Sequence, residues 1–137
     1  MCRTTPNSSC ALASSPDSPR TARRFVRKNE CAEHGTLVSD ALQMATSELV
    51  TNAVLHGNAP IALHLSCRSK DVRLAVADAG VMLDEESGHA GGLGQGLLIV
   101  SQLSQAWGTT PLAMGKEVWC VLATRMIPAQ RRPAQDA

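Results

Sequence analysis

The hydrophobic period of this chain changes from helical to extended at one defined place. Leu42, Ala45, Leu49, Ala53 and Val54 recur at three and four residues, the spacing of one helix face. Gly57 and Pro60 then close the helix. Glycine accepts the backbone that ends a helix, and proline lacks the N–H needed to resume one. From Ile61 the period is two: Ile61, Leu63, Leu65 and Cys67 alternate with Ala62, His64 and Ser66. Arg68-Ser69-Lys70-Asp71 makes a turn, and Val72, Leu74, Val76 and Asp78 share one face of a second strand. A long helix feeding such a hairpin must bury its stripe on the apolar face of the strands.

The flanking segments fit the same plan. Residues up to about Asp17 are rich in Ser, Thr and Pro and are expected to be disordered, or to offer Cys10-Ala11-Leu12-Ala13 as a weak edge strand. Ser18 predicts an N-cap with Pro19 at the first helical position. Ala22, Phe25, Val26 and Cys31 supply the buried stripe of this first helix, and Gly35 ends it. The second helix starts between Thr36 and Ser39 and runs to His56. From Val81 to Gly94 the chain is acidic, glycine-rich and aperiodic, a long loop of the kind that usually carries function. A third helix begins near Gln95 or Gly96 and buries Leu97, Leu98, Ile99, Val100 and Leu103. Trp107 to Leu112 and Glu117 to Thr124 form a hairpin around Ala113-Met114-Gly115-Lys116. The tail after Arg125 is expected to be disordered.

Helices and antiparallel strands segregate in this order, so the fold class is α+β. The expected architecture is a two-layer sandwich, a mainly antiparallel mixed sheet covered on one face by about three helices. The expected division is 1–17, a domain over 18–125, and a tail over 126–137. The 137 residues are 44% hydrophobic but only 2% aromatic, so aliphatic side chains build the core. A formal net charge of +1 argues against a dedicated nucleic-acid binder. Arg20, Arg23, Arg24, Arg27 and Lys28 make the first helix basic, either as a phosphate or acidic-partner surface or as a solvated face. Five scattered cysteines suggest reduced thiols in a cytoplasmic protein. No apolar run approaches a membrane span, and the first residues lack the apolar core of a signal peptide.

Three segments carry chemistry. Glu48 and Asn52, four residues apart, project from one side of the second helix. An amide oxygen beside an acid suits Mg²⁺ held mostly through phosphates and water, with the acid orienting or deprotonating a nucleophile. His56 extends the stripe and reads as a cation at the helix C-terminus. Asp78 has inward parity, where a carboxylate is costly unless hydrogen-bonded; it can accept from the exocyclic amine of a base. Gly80 would let that base approach the backbone. Gly91-Gly92-Leu93-Gly94-Gln95-Gly96 leads into a helix, whose exposed N–H groups and N-terminal partial charge suit phosphate. No Lys-Ser/Thr follows, so this is not a Walker A loop.

Glu-x-x-x-Asn on a helix, Asp-x-Gly after a strand and Gly-x-Gly before a helix resemble, in that order, the N, G1 and G2 boxes of the GHKL (histidine kinase-like) ATPase superfamily. The resemblance covers about Arg20 to Arg125. It is closest to the anti-sigma factor serine kinases and the small ATP-binding regulators of actinobacteria. It rests on Ala22-Arg23-Arg24-Phe25-Val26, Ser47 to His56, Gly94 to Val100, and Trp107-Gly108 through Gly115-Lys116-Glu117-Val118-Trp119. It implies a Bergerat-type antiparallel sheet under helices, with ATP and Mg²⁺. Asn52 would be the metal ligand and Glu48 the base. Asp78 and Gly80 would bind adenine. Gly92, Gly94 and Gly96, with Leu97 after them, would bind the phosphates. The implied partners are a protein antagonist phosphorylated on serine and a sigma factor, with no nucleic acid and no membrane; family members often form homodimers. Three departures stand out: Val81-Met82 where a second glycine is usual, Gln95 in place of a frequent basic residue, and Glu117 where a small hydroxyl is common. If Glu117 faced the pocket it would repel Asp78. The alternative reading is a catalytically silent, nucleotide-dependent regulator that binds its partner without phosphoryl transfer.

Overall fold

The computed structural model describes residues 7–31, 36–68, 70–80 and 93–123, apart from the side chains of residues 36, 37 and 93–96. The expectations for Gly92 and Met82, and that for the tail after Arg125, fall outside them, as does the side chain of Gln95. Five strands, β1 (Asn7–Leu12), β2 (Ile61–Cys67), β3 (Asp71–Asp78), β4 (Ala106–Leu112) and β5 (Gly115–Ala123), form one sheet in the order β1-β2-β3-β5-β4. Every pairing among the described residues is antiparallel, where a mainly antiparallel sheet was expected. Among the described residues three helices, α1 (Ser18–Asn29), α2 (Thr36–His56) and α3 (Leu93–Leu103), complete the α+β sandwich.

The core follows from the two periods. β2 and β3 send Ile61, Leu63, Leu65, Val72, Leu74 and Val76 to one face, each at most 2% exposed. β5 adds Val118, Cys120 and Leu122 in the same phase. Leu42, Ala45, Leu49, Val50 and Ala53 of α2 pack onto that face. α2 is apolar on more than one stripe because it is central: it packs on β3 and β5 and is flanked by α1 and α3. Close packing of these branched side chains builds a core in a chain with few aromatic rings.

Several boundaries differ from the sequence expectation. Asp17, not Ser18, is the N-cap of α1; the Ser18 hydroxyl donates instead to the Ala13 carbonyl and is buried. α1 stops at Asn29, well before Gly35, where Glu30 turns extended and the Asn29 amide donates to the Phe25 carbonyl. β1 is longer than expected and pairs along β2. α3 starts at Leu93, so Gly94 and Gly96 lie within its first turn and not in a preceding loop. The last hairpin turns on Ala113 and Met114 alone, which makes Gly115 and Lys116 strand residues.

Candidate functional site

Glu48 and Asn52 occupy successive turns of α2. Asn52 is 7% exposed, between core residues Leu49 and Ala53, and Glu48 is half-buried. Neither side chain hydrogen-bonds or ion-pairs with a described residue. A buried amide that commits neither its oxygen nor its amino group to any described residue can offer both to a ligand. His56, one turn on, is exposed.

Asp78 ends β3 in phase with Leu74 and Val76, so its side chain enters the helical side of the sheet, where it is 4% exposed. It does not stand there alone. Lys116 lies directly opposite in the β3–β5 register. Its ammonium donates to Asp78 Oδ1 at 3.0 Å and Oδ2 at 2.9 Å, and the Gly80 N–H donates to Oδ1 at 2.7 Å. Removing two ions from water costs several kcal/mol each, and only close pairing with further hydrogen bonds offsets that. The forked contact and the backbone donor meet this condition.

The end of α2 closes over this pair. A Cβ on Gly57 would lie 2.4 Å from Asp78 Cγ and 2.5 and 2.6 Å from its oxygens. Among the described glycines only Gly115 has positive φ. Gly57 is therefore explained by the space the carboxylate takes, not by the left-handed cap the sequence suggested. The Gly57 N–H still continues the helix to the Ala53 carbonyl, and the Ala79 N–H donates to the Asn58 carbonyl at 2.8 Å. These contacts bring the α2 terminus and the β3 terminus into one corner. Gly115 closes the other side at φ 140°, where a Cβ would lie 1.9 Å from the Asp78 carbonyl oxygen.

The predicted residues thus fall in three groups. Asp78 and Gly80 meet beside the end of the helix that carries Glu48 and Asn52. Gly94 and Gly96 open α3, which packs against α2. Leu97 is buried in the core cluster at 7% exposure. Glu117 does not face Asp78, so the condition for repulsion between the two acids is not met. It sits opposite Ala77 on the outer face, paired with Arg73 at 3.2 Å, whose guanidinium lies over Trp119 at 5.3 Å. Lys116 is the residue missed by sequence reasoning. The available signal was parity: it is in phase with Val118, Cys120 and Leu122, once β5 is extended back through the turn.

Residues 12–120 match the family model of the histidine kinase-like ATPase domain. The chain belongs to this family. Two solved structures share the histidine kinase-like fold. The RsbU and RsbW domains of Rv1364c from Mycobacterium tuberculosis match with a TM-score of 0.64 and 22% identity, over 86% of this chain and 32% of that one. The histidine kinase domain of a blue-light activated histidine kinase from Erythrobacter litoralis matches with a TM-score of 0.50 and 24% identity, over 62% of this chain and 44% of that one. This histidine kinase-like domain therefore spans less than half the length of either structure. No curated protein matches the sequence. Among the described residues no helix is long and apolar enough to cross a membrane.

Proposed function

We propose that this histidine kinase-like domain is an ATP-dependent regulator of the anti-sigma factor serine/threonine kinase type. In this reading it transfers the γ-phosphoryl group of ATP to a serine of a protein antagonist and sequesters a sigma factor. The observation that carries it is the corner where Gly57, at the end of the Glu48–Asn52 helix, packs on the inward carboxylate of Asp78. One pocket can then present an adenine acceptor, a metal ligand and a base. Among the solved structures similar to this chain, one includes an RsbW domain and another is a histidine kinase domain.

Asp78 accepts from the adenine amine, and Gly80 lines the approach to it. Asn52 fits Mg²⁺, because its unspent amide oxygen is a hard donor and such sites use few protein ligands beside phosphate oxygens. When bound, Mg²⁺ neutralises charge on the β- and γ-phosphates. Gly92, with the backbone N–H groups of Gly94 and Gly96 in the first turn of α3, would hold phosphate oxygens, and Leu97 anchors the helix in the core. Glu48 accepts the proton of the attacking serine hydroxyl. The serine oxygen bonds to the γ-phosphorus, the bond to the β–γ bridging oxygen breaks, and ADP leaves. Glu48 is half-buried, which leaves it reachable by a protein substrate.

The test is incubation with γ-labelled Mg-ATP and the antagonist protein. Transfer of label to serine, lost in Glu48→Ala while ATP binding persists, is the expected result. Transfer at the parent rate in Glu48→Ala removes Glu48 as the base. Saturable partner binding with no transfer by the parent protein overturns the kinase reading in favour of a silent regulator.

A further inference from the structure

The buried partner of Asp78 has a consequence for which base the pocket accepts. A carboxylate offers about four lone-pair sites, and an ammonium offers three donors. Asp78 spends three of its sites: Oδ1 on Gly80 N–H and on Lys116, and Oδ2 on Lys116. Lys116 spends two donors on the two oxygens and makes no other hydrogen bond to a described residue. Among the described residues this leaves one acceptor site on Oδ2 and one N–H on the ammonium, both within the same ion pair. The lysine is held in that position: its side chain is only 10% exposed and it extends from a strand in register with β3.

We propose that Lys116 is a specificity-determining residue that reads the base together with Asp78. This rests on the nucleotide-site reading above. The pair presents one acceptor beside one donor. The matching edge is an amidine: an exocyclic amine that donates to Asp78 Oδ2, next to an unprotonated ring nitrogen that accepts from the Lys116 ammonium. Adenine carries this edge at its amine and N1. Guanine set with its exocyclic amine on Asp78 Oδ2 turns N1–H, a second donor, toward the Lys116 ammonium; in the other register, with N1–H on Oδ2 and O6 accepting from the ammonium, the amine is the donor left over. A lone carboxylate would accept both donors, but with Lys116 and Gly80 in place only one acceptor site is left. One guanine donor would be buried without a partner, which is costly. Lys116 thus turns a carboxylate with an innate capacity for guanine into a reader of adenine.

The experiment is calorimetric titration of the full chain with ATP, GTP and an ATP analogue in which ring N1 is replaced by C–H. The wild-type protein should bind ATP about tenfold or more tightly than the analogue, the range expected for one hydrogen bond to a charged donor. GTP should bind more weakly than ATP by a similar factor. In Lys116→Thr and in Lys116→Met, which preserves length and volume, the ATP-to-analogue ratio should fall to about twofold and GTP should gain relative to ATP. Circular dichroism establishes that each variant is folded. Equal binding of ATP and the analogue by the wild type overturns the proposal without recourse to any variant. So does full discrimination retained by a folded Lys116 variant, which would assign N1 to another donor. Failure of the wild type to bind ATP at all would instead overturn the nucleotide-site reading.

Discussion

Gly57→Ala separates a steric account of the site from a conformational one. Where the backbone accepts alanine, replacing glycine normally stabilises a protein by about 0.4–1 kcal/mol, because the unfolded chain loses freedom. Gly57 does not have positive φ, so on backbone grounds alone the variant should gain stability. The structure predicts the opposite sign. The new Cβ would sit 2.4 Å from Asp78 Cγ, against an ordinary contact of at least 3.4 Å, so one of them must move by about 1 Å. The carboxylate cannot swing freely, being held by bonds of 2.7, 2.9 and 3.0 Å. A shift of that size breaks one or two of them, at about 1.5–3 kcal/mol for each charge-assisted bond. The net expectation is a loss of roughly 2–4 kcal/mol, or about 3–5 °C in Tm for each kcal/mol. Chemical denaturation measures it. In an Asp78→Ala background the same substitution should become neutral or stabilising, since the obstacle is gone. A Gly57→Ala protein as stable as the parent, or an unchanged penalty in the Asp78→Ala background, would refute the reasoning.

Asn52→Ala should leave a protein that binds ATP with the same affinity whether or not magnesium is present; an unchanged magnesium dependence by calorimetry would exclude the ligand role. Burial pushes the Cys120 thiol from 9.0 up to about 11. The unfolded thiol therefore loses its proton first as pH rises, and the native state binds more protons between those values. Stability should fall from pH 9 towards 11 by on the order of 2–3 kcal/mol more in the parent than in Cys120→Ala, measured by urea denaturation at each pH. Parallel pH profiles for the two proteins would contradict this.

How far the sequence revealed these features depended on whether a residue's role was local. β2 was read with its observed bounds because alternation over Ile61–Cys67 is unbroken and flanked by Pro60 and Arg68. α2 ran to His56 as expected, since its stripe and its stop signals agree. The inward aim of Asp78 followed from parity alone. Contacts between distant segments were not legible. Gly57 looks like a helix cap in sequence, yet its constraint comes from a carboxylate on another strand. Lys116 looked like a turn residue because Ala113 to Lys116 is polar and small enough for a loop; only the two-residue turn and the β3 register reveal it as a strand residue facing Asp78. Glu117, its neighbour, would repel Asp78 only if it faced the pocket, and the one-residue change of parity turns it to the other face. The early end of α1 also escaped, since Asn29 closes the helix with its own side chain and leaves no glycine signal at that place.

The account stands on the inward acid at the end of β3 as the group that receives the base. Titrating the wild-type protein and Asp78→Asn with Mg-ATP in a calorimeter tests it most directly. The wild type should bind one ATP per chain saturably, and the variant should lose that binding, because an amide aims donors at a donor and releases Lys116. Binding of ATP by a folded Asp78→Asn protein at the parent affinity would contradict the central claim.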